Sequence, residues 1–174
     1  MDIATLVAEH HAVLYRYAYR LTGSVSDAED LTQQTFLSAQ LKLDQLRSSS
    51  SGRPWLFAIL RNCYIKTKRT QSPLTAASLD MDMNSVPDEL PDESWIDQEK
   101  LQAAINELPD EFKLVLLLFY FEECSYREIA ERLSLPDGTV MSRLSRAKNH
   151  LRCKLFEHDF QPSMASHPVT HERD

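Results

Sequence analysis

Two stretches of this sequence gather basic side chains of the kind that can contact nucleic acid. From Lys42 to Arg69 there are seven Lys or Arg and one acid, Asp44; from Asp137 to Lys154 there are five and again one acid, Asp137. In the first stretch Arg61, Ile65, Lys68 and Arg69 share one side of a helix, with Asn62 at its edge. Lys and Arg there can contact phosphates, Asn62 can hydrogen-bond a base, and Phe57 or Tyr64 can stack on one, which suits strand-separated DNA. In the second stretch Met141, Ser142, Ser145, Arg146 and Asn149 point outwards. Ser142, Ser145 and Arg146 can reach base edges, an Arg bonding guanine through two hydrogen bonds. Arg143, Lys148 and Arg152 sit to the sides and suit phosphate contacts. The N–H groups of Gly138 and Thr139 add a phosphate site at the helix start, which Asp137 opposes slightly. The plain alternative for both stretches is a solvated basic face.

A third surface has the opposite character. On a wheel of residues 27–43, Asp27, Glu29, Asp30, Gln33 and Gln34 share the polar side, with Leu37 among them. An apolar anchor inside a polar rim is one form of partner surface. A solvated face with one stray leucine is the ordinary alternative.

The elements that must position these side chains are helices. Apolar residues recur at helical spacing from Ile3 to Leu21, and Gly23 ends that run. Ser26-Asp27-Ala28-Glu29 reads as a capping box opening a second helix to about Leu43. Its core side is Ala28, Leu31, Thr35, Phe36, Ala39 and Leu43. Ser48–Gly52 reads as a loop, and Pro54 fits the first turn of a third helix reaching Thr70. Trp55, Leu56, Ile59, Leu60 and Cys63 form its core side. After a stretch interrupted by Pro73, Pro87 and Pro91, helices are expected from Trp95 to Leu108 and from Pro109 to Phe121. Ser125-Tyr126-Arg127-Glu128 is a second capping box, for a short helix to Leu133. Asp137 caps a final helix to Phe156, whose stripe Val140, Leu144, Ala147 and Leu151 meets Ile129, Ala130 and Leu133. This pair has the layout of a helix-turn-helix.

Composition agrees. Gly is scarce, with 3 residues, while good helix formers dominate, so the fold class is all-α. The net charge of −7 hides a pattern: between the two basic stretches, Asp80 to Glu99 holds eight acids and no base. The expected organisation is two small helical domains, 1–70 and 95–156, joined by a flexible acidic linker, 71–94, with a disordered tail, 157–174. No run of about 18 apolar residues and no signal peptide are seen, so membrane insertion is not expected and a cytoplasmic location is. Cys63, Cys124 and Cys153 are far apart and fit reduced thiols better than disulfides or zinc. No metal or cofactor is expected. The tail histidines His158, His167 and His171 leave metal sensing conceivable, but disorder is the simpler reading.

Several segments together resemble the extracytoplasmic-function (ECF) sigma factors. Tyr19–Ser24, Asp27–Phe36 and Trp55–Asn62 look like their domain 2, and Leu108–Glu111, Ser125–Glu131 and Gly138–Ala147 look like their domain 4. The resemblance covers about residues 5–70 and 95–155. It implies that Asp27, Glu29, Asp30, Gln33, Gln34 and Leu37 dock on the clamp helices of the RNA polymerase β′ subunit. It implies that the loop and helix carrying Arg53, Arg61, Asn62, Ile65, Lys68 and Arg69 capture the melted −10 element. Thr139, Met141, Ser142, Arg143, Ser145, Arg146 and Lys148 would read the −35 element while domain 4 sits on the β flap. The acidic linker would run near the active-site and RNA-exit channels, mimicking nucleic acid. Core RNA polymerase, promoter DNA and an anti-sigma factor are thus the implied partners. The free domains could close on each other or on the anti-sigma protein. Gly52, Pro54, Lys66, Cys124 and Met141 depart from the usual family residues.

Two other readings fit part of the chain. An ordinary helix-turn-helix repressor or activator explains Ser125–Arg152 but not the earlier motifs, and it would typically bind duplex DNA alone as a dimer. A polymerase-binding inhibitor that does not melt DNA fits less well with the basic third helix. Nothing motivates an enzyme: there is no Gly-rich phosphate loop, HExxH or GxSxG.

Overall fold

The computed structural model describes residues 2–46, 51–71 and 97–156. Among them are seven α-helices and one 3-10 turn, Leu43–Gln45. Helix α1 (Ile3–Thr22) starts at Asp2, whose carboxylate accepts the Thr5 N–H at 2.8 Å. It stops at Gly23, which takes the left-handed conformation (φ 70°) and returns its N–H to the Tyr19 carbonyl. Helix α2 (Val25–Leu41) follows almost at once. Its cap is Ser24 rather than Ser26, because Gly23 leaves Ser24 extended with its hydroxyl facing the Asp27 N–H. Helix α2 also ends at Leu41, two residues short of expectation, and Leu43 lies in the 3-10 turn. Helix α3 (Gly52–Gln71) carries Pro54 in its first turn, and Gly52 belongs to the helix rather than to a loop.

The second half contains α4 (Gln98–Glu107), α5 (Asp110–Tyr120), α6 (Tyr126–Leu133) and α7 (Asp137–Phe156). Asp97 caps α4, Pro109 precedes α5, and the Ser125/Glu128 capping box of α6 is complete in both directions. Asp137 is the first residue of α7, which begins on the carbonyl of Pro136. Ser134 turns the chain between α6 and α7 in the left-handed region (φ 55°). Trp95, the linker and the tail lie outside the described residues.

Two cores form. In the first, Leu6, Leu14, Leu21, Leu31, Leu56 and Leu60 pack between α1, α2 and α3. Each such leucine contributes roughly 2 kcal/mol by leaving water. Thr32 and Thr35 are buried among them because their hydroxyls donate to the carbonyls of Ala28 and Leu31, both at 2.7 Å. In the second core, Val115, Leu118, Ile129, Val140, Leu144 and Ala147 join α5, α6 and α7, as the helix-turn-helix stripe predicts.

The two bundles are packed on each other. Leu114 and Leu117 of α5 belong to the first core, not the second, and Phe121 stacks on Tyr17 with ring centroids 5.4 Å apart. Phe112 to Leu118 is buried without a break, so α5 is covered on every side. A helix with no solvent face needs neighbours all round, and α1 and α3 supply what α6 and α7 do not.

Candidate nucleic-acid and polymerase interfaces

Helix α2 presents the acid and amide side chains as expected. Asp27, Glu29, Asp30, Gln33 and Gln34 are exposed, and Leu37 is 64% exposed among them. Leu41 (85%) and Val25 lengthen the apolar component. Leu37 and Leu41 are four residues apart, so they lie one above the other on the same face. The wheel of residues 27–43 placed Leu37 there; Leu41 was missed though that wheel holds it, and Val25 lies before its first residue.

The second basic stretch is also largely open. Met141 (54%) and Ser142 are exposed on the N-terminal half of α7, and Thr139, Ser145 and Arg146 are half-buried. Arg146 makes no ion pair with a described residue. Ser142 donates its hydroxyl to the Thr139 carbonyl at 3.1 Å. Arg143 is paired with Glu111 of α5, and Lys148 lies over the Phe119 ring at 4.8 Å, so both also tie α7 to α5. Arg152 corrects the sequence reading. It is buried, with Nη1 donating to the Asn149 side-chain Oδ1 at 3.4 Å and Nε without a hydrogen-bond partner. It faces the bundle because α4 covers that side of α7.

Helix α3 differs most from expectation. Arg53, Asn62 and Arg69 are exposed, and Ile65 and Lys68 are half-buried. Asn62, Ile65 and Arg69 line one wall of a cleft whose other wall is Arg132, Leu133 and Ser134. Arg61 does not share their open side. Its guanidinium sits 2.6 Å from Glu122, with side chains 7% and 3% exposed. The second Glu122 oxygen accepts from Arg132 at 2.8 Å, and the Tyr17 hydroxyl donates to the first at 2.8 Å. Burial, and then the Glu122 charge, hold the Tyr17 phenol well above its ordinary pKa.

The aromatic residues of α3 are likewise occupied. Phe57 is buried edge-on to Tyr17, at 5.0 Å between centroids, and the Arg53 guanidinium lies over its ring, 5.3 Å from the centroid. The Tyr64 hydroxyl donates to Asp110 at the start of α5. Burial first, then that bond and the Asp110 charge, raise its pKa. Lys68 and Lys113 flank Asp110 at 3.7 and 3.9 Å, and burial lowers the pKa of Lys113. Trp55, read as a core residue, is half-buried against the first core. Gly52 is buried, and a Cβ there would come 3.1 Å from Leu6.

Further along, α4 lies on the end of α1. Arg20 donates to Gln98 and to Gln102, and Gln102 in turn donates to the Tyr19 carbonyl at 3.3 Å. Gly23 faces Asn106 so closely that any Cβ would strike its amide. Glu122, Asp110, Gln102 and Asn106 were not singled out as a set. The available signal was α5, whose unbroken apolar run could not be satisfied by one bundle.

Among the described residues no helix is long and apolar enough to cross a membrane. Nor do three His, Cys, Asp or Glu side chains there gather as a metal site. Cys63, Cys124 and Cys153 are free thiols.

Comparison with known proteins agrees with this architecture. Residues 6–73 match the sigma-70 region 2 family and residues 98–151 match the sigma-70 region 4 family. The ECF RNA polymerase sigma factor SigE of Mycolicibacterium smegmatis is 34% identical over 171 residues, covering 92% of this chain; the chain spans 64% of that relative's length. SigW of Bacillus subtilis, also an ECF RNA polymerase sigma factor, is 31% identical, with 87% of this chain and 88% of SigW aligned. The sigma factor RpoE of Bartonella quintana, solved in complex with the anti-sigma factor NepR, superposes with a TM-score of 0.61 at 26% identity, over 87% of this chain and 96% of that one. Two regions of the sigma-70 class thus lie on one chain in the order α1–α3, then α4–α7. The chain belongs to the ECF sigma factor family.

Proposed function

We propose that this protein directs core RNA polymerase to specific promoters and opens the −10 element, catalysing no reaction of its own. The observation that carries the reading is the pairing, on one chain, of an open helix-turn-helix with an exposed carboxylate and amide face on α2. A repressor needs the first and has no use for the second.

In this reading residues 1–70 are the polymerase-binding and −10 domain, 71–94 the acidic linker, 95–156 the −35 domain, and 157–174 a tail. Asp27, Glu29, Asp30, Gln33, Gln34 and Leu37 meet the β′ clamp helices, Leu37 as the apolar anchor and the polar groups as its rim. Met141, Ser142, Ser145 and Arg146 enter the major groove at the −35 element. Thr139, Arg143 and Lys148 hold the flanking phosphates, and the domain rests on the β flap. Arg53, Arg61, Asn62, Ile65, Lys68 and Arg69 take the separated −10 strand. The two bundles must part for this, since Arg61 is otherwise engaged. An anti-sigma factor is the expected antagonist, as NepR accompanies the similar Bartonella RpoE. The site of action is the cytoplasm, where polymerase and promoters meet.

The test is assembly. The purified chain should co-elute with core polymerase from its source bacterium, and that complex, not the free chain, should retain duplex promoter fragments. Specific duplex retention by the free chain with no polymerase complex would instead indicate an ordinary helix-turn-helix regulator.

A further inference from the structure

We propose that the cleft between the last turns of α3 and the α6–α7 turn binds a small phosphorylated ligand of the nucleoside-polyphosphate class. The site stands on the side chains that line it. Only its consequence for promoter opening rests on the reading of α3 as the −10 face.

Three side chains lining the cleft are cations, Lys66, Arg69 and Arg132, and none is an acid. In a chain of net charge −7 this is a local inversion of sign. Lys66 and Arg69 are exposed and make no ion pair with a described residue. Arg132 has a carboxylate beside it, Glu122, but shares it with Arg61, so that trio keeps one positive charge. Of the Arg132 guanidinium only Nη1 is engaged, 2.8 Å from Glu122 and 2.8 Å from the Cys124 sulfur. Those contacts fix the group, and its Nε and Nη2 make no bond with a described residue. That edge of an arginine fits two oxygens of one phosphate. Lys66 is also a position at which this chain departs from its family, so the all-cationic lining is particular to this chain.

The rest of the lining suits the other part of a nucleotide. Ile65 and Leu133 are half-buried, pack on the first core and give the cleft an apolar floor for a base or sugar. Asn62 and Ser134 add polar groups, and neither side chain hydrogen-bonds to a described residue. Ser134 holds φ 55°, a conformation that Gly adopts without strain, and keeps a hydroxyl at the cleft. The volume, about 520 Å³, lies in the range of small-ligand pockets and takes one nucleotide rather than a run of them. This favours a free nucleotide over a strand. A ligand there occupies Asn62, Ile65 and Arg69 and so competes with the −10 strand. The concentration of a phosphorylated metabolite would thereby set how much protein is ready to act.

The experiment uses the full chain, its Lys66→Glu and Arg69→Glu variants, and Arg16→Glu as an exposed cation outside the cleft. Circular dichroism first establishes that helix content is retained. Isothermal titration calorimetry then reads binding of ATP, GTP and inorganic triphosphate. Fluorescence anisotropy reads binding of a labelled single-stranded oligonucleotide of mixed sequence. ATP or GTP should bind at one site per chain. Each cleft variant should weaken that binding about tenfold, and Arg16→Glu should leave it unchanged. Inorganic triphosphate should bind more weakly than the nucleotide, since it leaves the apolar floor unused. Saturating nucleotide should lower oligonucleotide binding by the wild type. No nucleotide binding, several sites per chain, or equal affinity in the folded cleft variants would overturn the site. Triphosphate as tight as ATP and GTP would overturn the nucleotide class. Oligonucleotide binding that the cleft variants lose, with no binding of either nucleotide, would assign the cations to a strand instead. If one cleft variant does not fold, the other decides. The titrations use the free chain, and the polymerase assembly test bears on the sigma reading alone, so the two failures are distinguishable.

Discussion

Arg61 and Glu122, 61 residues apart in sequence, meet at 2.6 Å in the seam between the two bundles, and both side chains are withdrawn from water. Arg61 lies on the side of α3 opposite its leucines, where an amphipathic helix would face solvent. The seam exists because α5 has no solvent face: one side is consumed by α6 and α7, and Leu114 and Leu117 need the first bundle. Of the basic side chains of α3, Arg61 is consequently covered by the second bundle, while Arg53 and Arg69 stay exposed.

Gly23 controls how closely α4 approaches α1. Gly23→Ala adds a Cβ in the left-handed conformation, costing about 1–2 kcal/mol, and drives it into the Asn106 amide. Calorimetry should show a Tm lower by several degrees. An unchanged Tm would mean that the turn and α4 can shift together, and that the seam there is loose.

The capping box of α6 predicts a pH-dependent loss. Glu128 accepts the Ser125 N–H at 2.8 Å, and these bonds to Ser125 hold its pKa below the ordinary 4.5. Because the folded value is depressed, the stabilisation is present above the unfolded value and disappears as pH falls through the folded one. Ser125→Ala should cost about 1 kcal/mol near neutrality. Thermal melts of wild type and Glu128→Gln should differ at neutral pH and converge in acid; a constant gap would show that the carboxylate charge is not involved.

Arg146 is half-exposed and unpaired among the described residues, so its loss should leave folding intact. Arg146→Ala should weaken −35 binding by about 1–3 kcal/mol and relax preference at the base it contacts. Unaltered transcription from a cognate promoter would remove Arg146 from the groove.

Leu37 and Asp30 make the complementary test on α2. Both are exposed, so Leu37→Ala and Asp30→Lys should scarcely alter Tm. Each should weaken holoenzyme assembly, by about 1 kcal/mol or more for an anchor residue. Neither should affect −35 binding by the second bundle. Equal assembly by the variants would sink the clamp assignment.

Much of this was legible in the sequence where periodicity and capping speak locally. The stripe Val140–Leu144–Ala147 and its partners Ile129 and Ala130 are fixed by contacts within thirty residues, and they pack as read. The Ser125 box formed as written, whereas Ser26 lost its role to Ser24 once Gly23 had set the turn. Arg61, Phe57 and Tyr64 were misplaced for one reason. Their partners Tyr17, Glu122 and Asp110 come from α1, from the turn after α5 and from the start of α5, and no wheel of α3 alone contains them. Arg152 failed in the same way, on the side of α7 that α4 covers.

The most direct test of the central claim is transcription in vitro by core RNA polymerase from the source bacterium, on a genomic promoter library, with and without this protein. The account predicts new start sites that depend on the protein and share two upstream elements. Polymerase that gains no start site, while the protein alone binds specific duplex DNA, would contradict it.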